Sequence, residues 1–481
     1  MRNGGPVSRM RAGVGRVDIT PPVGIPAGGW GNQLHEVSEG NELELWATVL
    51  VVEGDSAAGS ERAAIVDLDL CVLDDAQAAR ARSIVAEAAG LPFQSVAVGT
   101  THNHSVPVTV ELGGAWIRRN RELVAPYVES VFEAIGRAAA DAAASMRPVR
   151  VGVATGRSPL AVNRRMTTPD GRAVVGLNPG GIADPTVTVV RLDGDDDLPV
   201  ATIVHYACHP IILGPDNTVV TPEYPGIVKR VVEAAVGGHC LFVQGACGDV
   251  GPSELFVAEL TTYRRLGAML GHEAAGTAHR AGWRAHRQRL RDGEASAWIA
   301  SFEYEPDVEP DGTVCVANEI LPLPLRDDLG DAQEWRADAE RYESEAYAAR
   351  AAGAPDDEVR ELTVRTKFAR MRAERGEALR GLDSYPLLVH GIRLGPVTLV
   401  GMPVELFCEI GVAIRDGSSH PTTLVSGYWN GYRNYLPTDG ERARGGYEID
   451  ISPFGPGAEA LVTAAAGRVL EALAEGNPAA I

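Results

Sequence analysis

The 481-residue chain has no apolar run long enough to cross a bilayer, for which a helix needs about 20 residues. Its first ten residues carry basic charge, yet no apolar signal-peptide core follows before Asp18. Both absences lead to the expectation of a cytoplasmic protein. An excess of positive charge is lacking too. The formal net charge of −20 argues against a nucleic-acid partner or an anionic membrane. No apolar amphipathic segment suits the chain to lying on a bilayer. The six cysteines, Cys71, Cys208, Cys240, Cys247, Cys315 and Cys408, form no Cys-x-x-Cys pair, and are read as reduced, mostly buried thiols. There is no P-loop and no Gly-x-Ser-x-Gly elbow. His272-Glu273 opens a His-Glu-x-x-His helix motif, but Gly276 stands where its second histidine must be. Gly28-Gly29-Trp30-Gly31 lacks the spacing of a dinucleotide loop.

What is present is a normal apolar fraction of 45%, enough to bury a core. Ala63–Leu70 and Ser95–Gly99 read as strands around an Ala-rich helix, Asp74–Ala89, stopped by Gly90. Val200–Tyr206 and Leu241–Gln244 read as further strands, Tyr224–Val236 as a helix, and Leu387–Val400 as a hairpin across Gly395-Pro396. The expectation is an α/β fold, a mixed, multi-layer β-sheet core flanked by helices. Residues 328–381 differ: dense in Ala, Glu and Arg, they suit two antiparallel helices joined around Gly353-Ala354-Pro355. This is read as a helical hairpin inserted into one domain spanning 1–481. A surface ornament is the plain reading; a lid or a contact in a homodimer is the sharper one.

Several strands end in chemically capable residues, as expected for a site outside the carboxyl ends of strands in an α/β sheet. Val98–Pro107 places His102 and His104 two residues apart after an apolar run, on one side of an extended segment. Two imidazoles there make half of a metal site. Three later segments could complete it: Tyr206-Ala-Cys-His-Pro210, Gly401-Met-Pro-Val-Glu405, and Tyr432-Arg-Asn-Tyr435 with Tyr447-Glu448 beyond. His205 competes with His209, because strand parity puts both on one face. Asp69, at the end of an early strand, could orient a ligand histidine.

This set resembles the catalytic domain of the neutral/alkaline ceramidases, zinc amidases that cleave N-acyl sphingosine. The resemblance covers roughly Gly13 to Tyr447. Asn430, Tyr432, Tyr435, Thr438 and Tyr447-Glu448 repeat the family's closing pattern. It implies a Zn²⁺ cofactor held by His102, His209, Glu405 and Tyr435, with His104 as a nearby acid/base. Arg164, in a segment similar to the family's Asn-Arg-Ser-Pro, is implied as a substrate contact, and Tyr447 as a hydrogen-bond donor to the tetrahedral intermediate. The chain departs from the family at Gly248-Asp-Val-Gly-Pro252, where Gly251 replaces a serine proposed to act in catalysis. A metal-activated water is the route that remains. The chain ends soon after Tyr447, so the family's C-terminal β-sandwich is expected to be absent. With no device for a lipid surface, the expected activity is hydrolysis of an amide in a small soluble N-acyl substrate. An esterase or lactonase using the same site, and a non-catalytic metal-binding homologue, are the alternatives.

Overall fold

The apolar runs of the first half build eight strands: β1 (Met10–Asp18), β2 (Trp46–Ser56), β3 (Gly59–Leu68), β4 (Val96–Thr100), β5 (Arg147–Arg157), β6 (Thr186–Gly194), β7 (Pro199–Tyr206) and β8 (His239–Gln244). They form one sheet in the order β8-β7-β6-β5-β1-β2-β3-β4. The computed structural model describes residues 10–56, 59–110, 120–282, 286–296, 299–306 and 311–475. Every pair in the middle of this sheet is antiparallel. Only the end pairs, β3 with β4 and β7 with β8, are parallel. The expected mixed sheet is present, with two separate parallel pairs flanking an antiparallel middle.

The sheet curls until its ends meet. The Phe242 N–H on β8 donates to Asp67 on β3 at 3.0 Å. Lys229 bridges the same region, reaching Asp67 at 3.1 Å and Asp69 at 2.6 Å. Helix α1 (Asp75–Ala89) has Asp74 as its N-cap, with a capping box to Gln77, and the left-handed Gly90 at its C-cap. Helix α2 (Val124–Ala144) lies directly on β1. A Cβ at Gly13 or Gly15 would fall 2.1 or 2.0 Å from an α2 carbonyl oxygen, so only glycine permits this approach. Helices α3 (Glu223–Val236) and α4 (Leu260–Ala281) cover the β6–β8 region.

A second sheet stacks on the first. Its strands are β9 (Val314–Pro324), β10 (Ser384–Leu394), β11 (Val397–Gly401) and β12 (Thr422–Ser426), in sequence order. Leu50, Ile65, Val190, Ile203 and Leu241 of the first sheet share one buried cluster with Val314, Ile392, Leu399 and Leu424 of the second. Helix α7 (Ala458–Ala474) closes the far face.

Between β9 and β10 the chain leaves as α5 (Ala332–Ala351) and α6 (Asp356–Ala378), an antiparallel hairpin turned at Gly353, with φ +71°. Asp331 caps α5 by accepting from the Gln333 and Glu334 N–H groups. The hairpin's own buried cluster is small, centred on Ala346 and Val359. Arginines tie it to the loop after Gly28: Arg350 donates to Leu34 O at 3.2 Å, and Arg360 to Asn32 O at 2.6 Å. No helix among the described residues is long and apolar enough to cross a membrane.

Candidate active site

The two parallel pairs each contribute one imidazole in the same way. His102 follows β4, and its Nδ1–H donates to the carbonyl of Cys71, just beyond the neighbouring β3, at 3.1 Å. His209 follows β7, and its Nδ1–H donates to the carbonyl of Cys247, just beyond the neighbouring β8, at 2.6 Å. A carbonyl can only accept, so each bond fixes the tautomer and leaves the Nε2 lone pair free. His102 holds a left-handed backbone, φ +60°, unusual for a non-glycine residue and common where a site constrains the chain. Because the sheet curls, both Nε2 atoms arrive at one point.

Glu405 completes the cluster. It lies just after β11 and pairs directly with Tyr435 in a short parallel ladder. Its Oε2 is 3.5 Å from His102 Nε2 and 3.1 Å from His209 Nε2. The phenol of Tyr428 donates to Oε2 at 3.0 Å and that of Tyr432 to Oε1 at 2.6 Å. His102, His209 and Glu405 each offer one atom to a group closer than 4.8 Å throughout. All three are buried, with exposures of 2%, 0% and 1%, so bulk water does not satisfy them. His209 Nε2 has no hydrogen-bond partner. Two imidazole nitrogens and a carboxylate converging without a counter-cation fit a divalent metal of borderline softness.

Electrostatics agree. Burial alone would raise the Glu405 carboxyl, but His102 and His209 hold it well below the usual range. Burial, then Arg164, pushes His209 down to about 3, leaving a neutral imidazole suited to ligation. Burial lowers His102 as well, but Glu405 and Cys71 outweigh it and raise the group to about 9. The carboxylate therefore demands a cation within this trio.

The remaining residues expected from the sequence gather around it. His104 Nε2 sits 3.3 Å from His102 Nε2, and Trp30 leans on the His104 ring at 4.8 Å. Burial, with His102, His209 and Lys367, holds His104 well below its ordinary pKa, so it is neutral. Arg164 is buried and donates to the Tyr435 hydroxyl at 2.9 Å, to Gly248 O at 2.8 Å and to Glu448 at 3.3 Å. Arg165 shares Glu448 at 2.7 Å and takes Glu441 at 2.7 Å. Tyr447 packs edge-on against Tyr435, ring centres 5.6 Å apart. Tyr435 and Tyr447 line one pocket with His102, His104 and Glu405.

Two expectations are corrected. Asp69 touches neither imidazole; it accepts from Lys229 and from the Trp46 N–H, and backbone carbonyls orient the histidines instead. His205 donates to Val425 O at 2.9 Å and belongs to another surface. Strand parity does not relate the two histidines, because the chain leaves β7 at Tyr206, before His209. At Gly251 a Cβ would stand 3.4 Å from Ile211 and 3.8 Å from the Arg164 side chain; a serine has room there, and the chain supplies none.

Sequence reasoning gave no role to Tyr428 and Tyr432, and nothing to Lys367 or Met371. The last two come from α6 and line the same pocket. Tyr432 did appear in the closing tyrosine pattern; the α6 residues carried no signal. The hairpin is thus one wall of the pocket. An adjoining cavity of about 270 Å³ shares Val110, Met371 and Tyr432 with it.

Comparison with known proteins gives the family and the fold. No curated protein matches the chain significantly in sequence. Among solved structures, neutral ceramidase from Pseudomonas aeruginosa superposes with a TM-score of 0.69 at 19% identity, over 98% of this chain and 75% of that one. A ceramidase complexed with C2 superposes with a TM-score of 0.67 at 18% identity, over 98% of this chain and 77% of that one. At these identities the likeness is one of fold. The sequence profile of the neutral/alkaline non-lysosomal ceramidase N-terminal region matches residues 10–258. That is more than half of the chain, which therefore belongs to the neutral/alkaline non-lysosomal ceramidase family and is a hydrolase.

Proposed function

We propose that this chain hydrolyses the amide bond of a small N-acyl substrate at a zinc centre held by His102, His209, Glu405 and Tyr435. The convergence of two oriented Nε2 atoms on the Glu405 carboxylate carries this reading. Tyr435 joins the set because its ladder register puts it beside Glu405. Bound zinc lowers the pKa of a coordinated water and polarises a carbonyl, the two aids that an unreactive amide needs.

The chain's own residues do the rest. His104 is neutral, so one of its ring nitrogens can take a proton from the attacking water and then deliver it to the leaving amine. Arg164 is held rigid by Glu448 and Gly248 O, and stabilises the oxyanion together with Tyr447. Gly251 offers no nucleophile, which favours direct attack by water over an acyl-enzyme. The family's named amide is ceramide. The cavity of about 270 Å³ beside the pocket lies just below the usual size of ligand sites, about 300–1,000 Å³, and supports a more compact N-acyl compound.

The test is zinc content by elemental analysis together with hydrolysis of a panel of short N-acyl amides, ceramide and the matching esters. About one zinc per chain and amide turnover are expected, both lost in His209→Ala. Tyr447→Phe should keep its zinc and lose about 100-fold or more in kcat, as for other oxyanion donors. Failure of the wild type to retain zinc after loading would overturn the reading. Turnover of esters without amides would reassign the bond.

A further inference from the structure

The chain carries two lysines, Lys229 and Lys367, and they are provided for in opposite ways. Lys229 is buried with two carboxylates, Asp67 at 3.1 Å and Asp69 at 2.6 Å. An ammonium taken out of water is ordinarily compensated in this way. Lys367 reaches from α6 into the wall of the catalytic pocket. Its Nζ donates to the Gly29 carbonyl. Among the described residues it has no ion pair. An ammonium carries three N–H donors, so one carbonyl leaves two donors and the charge unanswered.

The pocket does not supply the missing partner. Glu405 is the one carboxylate among the described residues lining it, and it is engaged by two phenols and two imidazoles. Arg164 nearby is matched by Glu448. A divalent cation on the trio would add further positive charge. The pocket is therefore short of one negative group.

We propose that Lys367 binds a carboxylate on the substrate, so that the amide selected by this pocket is anionic, of the N-acyl amino acid class. This rests on the amide-hydrolase reading above and names its substrate class. Water would add across the C–N bond, giving a carboxylate from the acyl part and a free amino acid. The rest of the lining fits an acyl chain beside such a group: Val106, Pro107, Val108 and Met371 are apolar.

The experiment compares N-octanoylglycine with N-octanoylethanolamine, equal in length and differing in charge. N-butylsuccinamic acid, with its carboxylate on the acyl side, is the third arm. The wild type should prefer a carboxylate-bearing amide by about tenfold or more in kcat/KM, the scale of one charge-assisted hydrogen bond, with the effect in KM. Lys367→Met should abolish that ratio and Lys367→Arg should keep it; Lys367→Gln replaces the methionine variant if the latter fails to fold. A Lys367-dependent preference for the succinamic acid instead of the glycine conjugate would support the cation's role and move the charge to the acyl side. No preference in the wild type, or an unchanged ratio in Lys367→Met, would overturn the proposal. Calorimetric binding of N-octanoylglycine and N-octanoylethanolamine reads the same ratio without turnover. A protein that binds the anion through Lys367 but cleaves nothing would sink the hydrolase reading alone.

Discussion

The catalytic pocket has two walls built on different principles. One is made of strand ends: His102, His209 and Glu405, drawn from three distant segments, buried and each held by at least one hydrogen bond to another part of the fold. The other is a single hairpin, rich in arginine and glutamate, with a small core of its own. It is tied to the rest mainly through side chains reaching loop carbonyls. Chemistry that depends on tenths of an ångström sits on the first wall, where backbone carbonyls leave an imidazole little freedom. Lys367 and Met371, the residues proposed to meet the remainder of a substrate, sit on the second, where a substitution disturbs no sheet. The difference suggests how one scaffold keeps its reaction and changes its substrate.

The sharpest test of the first wall is the residue that orients its carboxylate. Tyr432 donates to Glu405 Oε1 at 2.6 Å and so fixes which oxygen faces the imidazoles. Removing such an outer partner typically costs 10–100-fold in metal affinity. Tyr432→Phe should therefore lose zinc to a competing chelator at concentrations about 10–100-fold lower than the wild type withstands. Equal resistance would mean that Tyr428 and the ladder alone orient the carboxylate.

The same contrast explains what could be read from the sequence. The first wall was legible because its residues lie at the ends of strong apolar runs and in an ordered series of motifs. His102, His209 and Glu405 were identified before any geometry. Their anchors were not, because the carbonyls of Cys71 and Cys247 have no side-chain signature. The curl of the sheet also left no trace, since it arises from pairing order and from contacts such as Phe242 to Asp67. In the hairpin the two helices were plain from composition and from the turn at Gly353–Pro355. The direction in which Lys367 and Met371 point was not, because helical periodicity separates inside from outside but not core from pocket.

A second test concerns how the first wall is fastened. His390 on β10 donates from Nε2 to Gln94 O at 2.9 Å and accepts the Trp429 indole N–H at Nδ1, 3.2 Å away. It thereby pins the loop that leads to Tyr432. Accepting at Nδ1 requires the neutral ring, and burial, then Arg82, depresses the group to about 3 from 6.5. The unfolded chain takes up the proton first, so this contribution is present above pH 6.5 and is lost as pH falls toward 3. Between pH 7 and pH 5 the loss from His390 is about 2 kcal/mol. Denaturant titrations at those two pH values should show His390→Leu losing about 2 kcal/mol less than the wild type on acidification. Equal losses would place the acid sensitivity elsewhere.

The second wall should respond more weakly. Arg360 joins α6 to Asn32 O at 2.6 Å and to Asp216 at 2.7 Å, but Asp216 is 63% exposed. Exposed pairs of this kind contribute about 1 kcal/mol or less. Arg360→Ala should leave stability nearly unchanged and raise KM by about threefold through looser docking of the hairpin, with kcat kept. Steady-state kinetics on a short N-acyl amide would measure it. A fall in kcat of tenfold or more would break the comparison, because it would mean that the hairpin helps to align the reacting groups. In that event the Gly28–Gly31 loop, held between Lys367 and His104, is the path by which it does so.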